Sequence, residues 1–193
     1  MKEGDHGHYD FFYNRILFPI RTSAGKPVGY TARHKNIKPP KGSPKYINSP
    51  DSIVFDKSKF LYGLYENQIS IVERQFAYLV EGPTDVILMD QHGIGNVVAA
   101  LGTAFTEHHA KKLAQITDHV ILLMDGDTAG VKAAKKAMAM LYEARVTPLY
   151  GLKIISFNVF IFLINSTLED TGGMFPSTRA LSTSTLQPSP KSM

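Results

Sequence analysis

The sequence predicts an α/β fold in which a parallel sheet is covered by helices on both faces, preceded by a small, mostly β, basic module. Three observations lead there. Short apolar runs alternate with helical segments three times between residues 76 and 157. The stretch before them is rich in Pro, Gly and Lys and reads as strands and loops. Two of the apolar runs end abruptly in carboxylates, as strands do where a parallel sheet binds ligands.

The elements follow in order. "ILFPIRTSAGKPVGYTAR" reads as strand, turn at Ser23-Ala24-Gly25, and strand, hence a hairpin. "NIKPPKGSPKYINSP" has too many prolines for regular structure and is expected to be a loop. "FAYLV" (76–80) is the first strand of the sheet, followed by Glu81-Gly82 and a helix that opens on Pro83 and runs to about Gly93. "NVVAAL" is the second strand. Thr106 then caps "EHHAKKLAQI", with Glu107 in the first turn where the helix dipole favours an acid. "HVILLM" is the third strand, and the next helix places Val131, Ala134, Met138 and Leu141 on one face with lysines opposite. "GLKIISF" is the expected fourth strand. From about Asn158 the chain turns Ser-, Thr- and Pro-rich and is expected to be largely disordered. The predicted divisions are 1–70, 71–157 and 158–193.

Composition narrows the chemistry. With no cysteine, disulfides, thiolate zinc sites and cysteine nucleophiles are excluded. The N-terminus has no apolar signal segment, and the oily run Ile154 to Ile164 is too short to span a bilayer, so no membrane association is expected. Between Phe11 and Pro50 lie eight Lys or Arg and no acid. A one-sign block of this kind suits a polyanion, or else a solvated basic loop region. Phe11, Phe12, Tyr13, Tyr30 and Tyr46 lie among these charges and read as base-stacking or as core residues. His108-His109, early in a helix, reads as solvated, and His6 and His8 as part of a polar terminus.

The carboxylates carry the sharper signal. Glu81 follows the first strand, and Asp125 and Asp127 follow the third. Asp125 and Asp127, two residues apart, converge if the strand continues, and Glu81 faces them if strands one and three are neighbours. Asp85 lies in the first turn of the first helix. Clustered oxygen donors with no His or Cys suit Mg²⁺ or Mn²⁺. Taken singly, Asp85 and Asp127 read as helix-terminal acids. Together, Glu-Gly-x-x-Asp after one strand and Asp-Gly-Asp after another make a more specific pattern.

Glu81-Gly82-Pro83-Thr84-Asp85 with Asp125-Gly126-Asp127 resembles the Toprim domain of topoisomerases, primases, recombination proteins and some nucleases. "FFYNRILFPIRTSAGKPVGYTAR", "PKYINSP", "FLYGLYE", "GNVVAALGTAFT" and "LLMDGDTAG" narrow the resemblance to the catalytic core of the bacterial, DnaG-type DNA primase, from about Tyr9 to about Ile155. The resemblance implies metal-dependent synthesis of RNA primers from ribonucleoside triphosphates on a single-stranded DNA template, in the bacterial cytoplasm at the nucleoid. It implies Glu81, Asp125 and Asp127 as catalytic metal ligands, with Asp85 supporting them. It also implies Arg15, Arg21, Arg33 and Lys45 as template or nucleotide contacts. Arg15 and Arg21 equally read as a surface pair flanking a strand.

The sequence departs from the family pattern in places. The family's zinc-binding domain, most of its N-terminal core subdomain and its helicase-binding domain have no counterpart in these residues. The Asp-Pro-Asp element expected after the fourth strand is replaced by "FNVFIFLINSTLEDTGG", where Glu169-Asp170 reads as a surface turn. Three readings therefore stand: a primase core, active or an inactive fragment; a Toprim nuclease or mobile-element protein; and a degenerate nucleic-acid-binding remnant.

Overall fold

The structure, a computed structural model, describes residues 2–4, 7–102 and 104–153. The expectations for His6, for strand beyond Lys153, for the run "VFIFLI", for Glu169-Asp170 and for the 158–193 tail lie outside the described residues.

A short hairpin, β1 (Lys2–Gly4) and β2 (Gly7–Tyr9), precedes a three-stranded antiparallel sheet of β3 (Arg15–Arg21), β4 (Pro27–His34) and β5 (Tyr46–Asn48). The β3–β4 hairpin closes where the sequence places it, with Gly25 in the left-handed region at φ 83°. A Cβ there would also strike the Tyr65 ring, which lies 2.6 Å from the ideal position. β5 corrects the expected loop: "YIN" pairs with Thr31, Ala32 and Arg33 although prolines flank it on both sides. Proline at the border costs no ladder hydrogen bond, so a three-residue edge strand fits between them.

The main sheet has the order β10-β9-β7-β8-β6, built from β6 (Leu61–Tyr62), β7 (Ala77–Val80), β8 (Val97–Ala100), β9 (His119–Asp125) and β10 (Thr147–Lys153). The four longer strands are parallel and β6 joins antiparallel at one edge. α2 (Pro83–Gln91), α3 (Glu107–Leu113) and α4 (Thr128–Glu143) connect them. Strand β10 begins at Thr147, earlier than its sequence suggests, because Thr147 to Lys153 pair residue by residue with His119 to Asp125.

Alternation along the strands divides the core. Ala77, Leu79, Val98, Val120, Leu122 and Met124 face α3 and α4, where Ala110, Leu113, Ala134, Ala137 and Leu141 are buried. Tyr78, Val80, Val97, Ala99 and Leu123 point the other way, against Val86 and Met89 of α2. Burial of alternate residues on both faces is why these strands read as unbroken apolar runs. Because β7 is central, the chain steps to β8 on one side and then crosses to β9 on the other, so a crevice opens beyond the carboxyl ends of these strands.

One helix has no counterpart in the sequence reading. α1 (Leu64–Arg74) follows β6, and the division at residue 70 falls inside it. Its buried side carries Asn67 and Ile71, while Tyr65, Ile69 and Val72 are exposed, and its N-cap, Gly63, supplies no capping side chain to mark its start in the sequence. The Asn67 amide donates to the Val97 carbonyl at 2.8 Å, tying α1 to β8. A small cluster of Ile20, Phe55 and Leu101, with Val28, Phe60 and Tyr62 around it, joins the antiparallel sheet to the end of β8.

His109 is also corrected: it is fully buried, not solvated. Its Nδ1 accepts the Thr106 N–H at 3.2 Å, while the Thr106 hydroxyl accepts the His109 N–H at 3.3 Å and donates to the Ser58 carbonyl at 2.7 Å. Burial pushes the imidazole down to about 4. The unfolded chain therefore takes up a proton near pH 6.5 that the folded chain refuses until about pH 4, so this residue's share of stability is full above pH 6.5 and is lost as the pH falls. Across that window the loss is roughly 3 kcal/mol at 1.36 kcal/mol per unit. Urea unfolding of the wild type and His109→Gln at pH 7 and pH 4.5 is expected to show a markedly shallower pH dependence in the variant.

Candidate metal and nucleic-acid site

The acids gather at the carboxyl edge of the sheet because β7 and β9 pair directly, with Val80 opposite Leu123. Glu81 follows β7, and Asp125 ends β9. The Glu81 Oε1 accepts the backbone N–H of Asp125 at 2.7 Å, which fixes the two chain ends to each other. Asp127 is not a strand residue. It is the N-cap of α4, and its Oδ1 accepts the Gly130 N–H at 2.7 Å. Asp85, at the third position of α2, reaches back to the Gly82 N–H at 3.2 Å.

Glu81 and Asp127 line a cleft of about 240 Å³ whose other walls include Leu79, Met124, Phe105 and Ala133. Gly130 closes it. A Cβ at Gly130 would overlap the Asp125 carbonyl oxygen and come 3.0 Å from Glu81 Oε1, so the first turn of α4 can approach β9 only with glycine there. The sequence reading did not single out Gly130, although its spacing, three residues beyond the cap, was visible.

The donor set is all carboxylate oxygen, the chemistry hard divalent cations select. The observed side chains do not close around a single point: among the described residues no three Asp, Glu or His side chains lie close enough to hold an ion. Glu81, Asp127 and Asp85 each accept a backbone N–H instead.

The basic residues divide into two pairs. The Arg15 guanidinium donates to the Pro44 carbonyl at 2.9 Å, the Lys45 carbonyl at 3.4 Å and the Ser43 hydroxyl at 3.3 Å, pinning the loop before β5. Arg21 donates to the Gly25 carbonyl at 2.9 Å and pairs with Glu66 of α1 at 3.3 Å. These two stabilise the module itself. Arg33 lies directly opposite Tyr46 in the β4–β5 register, so both side chains share one face. On that face the Tyr46 hydroxyl meets the Thr84 hydroxyl at 3.2 Å, one residue before Asp85. The Lys45 ammonium lies 5.7 Å from the Tyr46 ring centre. Asn48, two residues along, donates to the Leu101 carbonyl at 2.8 Å. The same face of the basic sheet thus fronts the acidic edge of the parallel sheet. Of the aromatics, Phe12 packs edge-on against Phe11 and Tyr30, and Tyr13 is exposed.

Comparison with known proteins places both modules. The N-terminal domain of the DNA primase catalytic core matches residues 1–68, and the Toprim domain matches residues 75–150. A DNA primase of Aquifex aeolicus is 47% identical over 143 residues, and one of Neisseria meningitidis serogroup A is 46% identical over 131. These matches cover 73% and 68% of this chain but 28% and 22% of those relatives. Among solved structures, the zinc-binding and RNA polymerase domains of the Aquifex aeolicus primase align with a TM-score of 0.75 at 40% identity, covering 89% of this chain and 42% of that one. A DnaG primase catalytic domain bound to single-stranded DNA aligns with a TM-score of 0.72 at 33% identity, covering 88% of this chain and 56% of that one.

The crowding at Gly130 generates a direct test. Gly130→Ala is expected to lose about 1–3 kcal/mol in denaturant unfolding, because backbone rather than a flexible side chain must yield. Gly126, whose added Cβ meets nothing within 4 Å, serves as the control. Gly126→Ala is expected to stay within about 0.5 kcal/mol of the wild type.

Proposed function

This chain belongs to the DnaG-type DNA primase family, and we propose that it carries the part of such an enzyme that brings template, nucleotide and metal together for RNA primer synthesis on single-stranded DNA. The observation that supports this reading most is the shared front: Arg33 and Tyr46 lie on the face of β4 and β5 that meets α2 beside Asp85. Cations for phosphates and carboxylates for a cation then address one ligand.

In this reading Glu81, Asp125 and Asp127 hold Mg²⁺ or Mn²⁺, with Asp85 in support. When bound, the metal lowers the pKa of the attacking hydroxyl and neutralises charge on the triphosphate. Glu81 also keeps Asp125 in place through the backbone bond, and Asp127 keeps the α4 N-terminus capped. Arg33 and Lys45 are the residues that contact template or nucleotide. Arg15 and Arg21, engaged within their own module, act on binding through the shape of that module. We propose a basic module (1–70), a Toprim domain (71–157) and a tail (158–193), with α1 running across the first boundary. The replicative helicase is a partner of the whole enzyme, and this chain spans about a quarter of such relatives. We place it in the cytoplasm at the nucleoid, where a bacterial DNA primase has access to its template.

Two measurements test the reading. Isothermal titration of the chain with Mn²⁺ is expected to show binding that disappears in Asp125→Ala/Asp127→Ala while the variant remains folded by circular dichroism. A folded wild type that takes up no Mn²⁺ would instead favour the non-catalytic remnant. Fluorescence anisotropy with a single-stranded oligonucleotide is expected to weaken with salt. The slope of log affinity against log salt should become shallower by about 0.7 for Arg33→Ala and for Lys45→Ala, one phosphate contact each. Metal-dependent cleavage of the oligonucleotide without primer synthesis would point to a nuclease.

A further inference from the structure

Two polar contacts join the basic sheet to the acidic edge, and both come from β5. Tyr46 reaches Thr84 in the first turn of α2, and Asn48 reaches the Leu101 carbonyl just beyond β8. The fit at Asn48 is close: Gly102, at φ 65°, would bring a Cβ to 3.2 Å from the Asn48 amide nitrogen. Neither contact is needed merely to keep the modules attached. The apolar cluster of Ile20 and Phe55 against Leu101 does that.

What the Tyr46 hydroxyl adds is direction. It is the atom of β5 that touches the helix carrying Asp85, three residues beyond Glu81. Arg33 is its cross-strand partner and Lys45 its chain neighbour. A tilt of β5 by an ångström or two would leave both sheets intact and still shift Arg33 and Lys45 relative to α2, a displacement that matters where two groups must grip one ligand.

We propose that Tyr46 is a positioning residue: its hydrogen bond to Thr84 fixes Arg33 and Lys45 over the Glu81–Asp125–Asp127 edge, so that metal and triphosphate bind as a unit. The inference rests on the functional reading above and assigns Tyr46 and Thr84 a role in coupling the two modules. Thr84 takes part through its hydroxyl alone, so Thr84→Val removes the contact with little change in shape, as does Tyr46→Phe.

The test is the ratio of affinities for Mn²⁺–ATP and for ATP in EDTA, measured by isothermal titration on the full chain. Mn²⁺ affinity and melting temperature are measured alongside. For the wild type a ratio of at least tenfold is expected. Tyr46→Phe and Thr84→Val should each reduce it to a third or less, and the double variant should fall no further, while Mn²⁺ affinity without nucleotide stays within twofold. A wild-type ratio that persists in both variants overturns the proposal, and a lowered melting temperature with that ratio intact assigns the contact to stability alone. A wild type with no metal-dependent gain in ATP affinity sinks the functional reading and the inference with it. That pattern is distinct from coupling that is present and indifferent to Tyr46.

Discussion

The bond from the Asp125 N–H to the Glu81 carboxylate is the constraint on which the site depends. It spans 44 residues of sequence and forms only because β7 and β9 lie side by side, which in turn requires the chain to cross over β7 after β8. Once made, it leaves the first turn of α4 little room. Glycine at 130 lets the helix N-terminus close on Asp125, and Asp127 caps that same turn. Sheet pairing, a backbone hydrogen bond and one absent side chain therefore set the positions of three acids at once.

Glu81 and Asp127 carry like charge in the wall of a largely apolar cleft, an arrangement that is costly unless each finds a compensating partner. The structure supplies backbone N–H groups for Glu81, Asp85 and Asp127. Carboxylate oxygens are also the hard donors that divalent cations select, and in the proposed function these groups would serve both folding and binding. On the facing sheet the charges are divided differently. Arg15 and Arg21 are committed to holding loop and turn, whereas Arg33 shares its face with Tyr46 at the junction. Among residues of one chemical type, tertiary partners separate those that build the surface from those that present charge on it.

Much of this was legible in the sequence, and the parts that were not share a cause. β7, β8 and β9 read clearly because burial on both faces makes strands continuously apolar, and α2 and α3 announce themselves through Pro83 and Thr106. α1 was missed because Gly63 gives its start no capping side chain and its tie to the sheet, from Asn67 to Val97, spans 30 residues. β5 was hidden by flanking prolines. His109 looks like any polar helix residue until Ser58 and its neighbours fold over it. In each case the deciding contact comes from a segment distant in the chain.

By itself, the sequence determined the family and the α/β class, since these follow from residue types at fixed local spacings. Tertiary structure decided how its carboxylates are placed. Local spacing suggested that Asp125 and Asp127 converge from one strand. The chain instead turns into α4 after Asp125, making Asp127 a cap and handing the cross-strand role to Glu81. That Arg33 shares its face with Tyr46, and that Tyr46 meets Thr84, depend on how the strands pair and the two sheets dock. Docking is set by the apolar contact of Ile20 and Phe55 with Leu101, residues scattered over some 80 positions, and no local pattern encodes it.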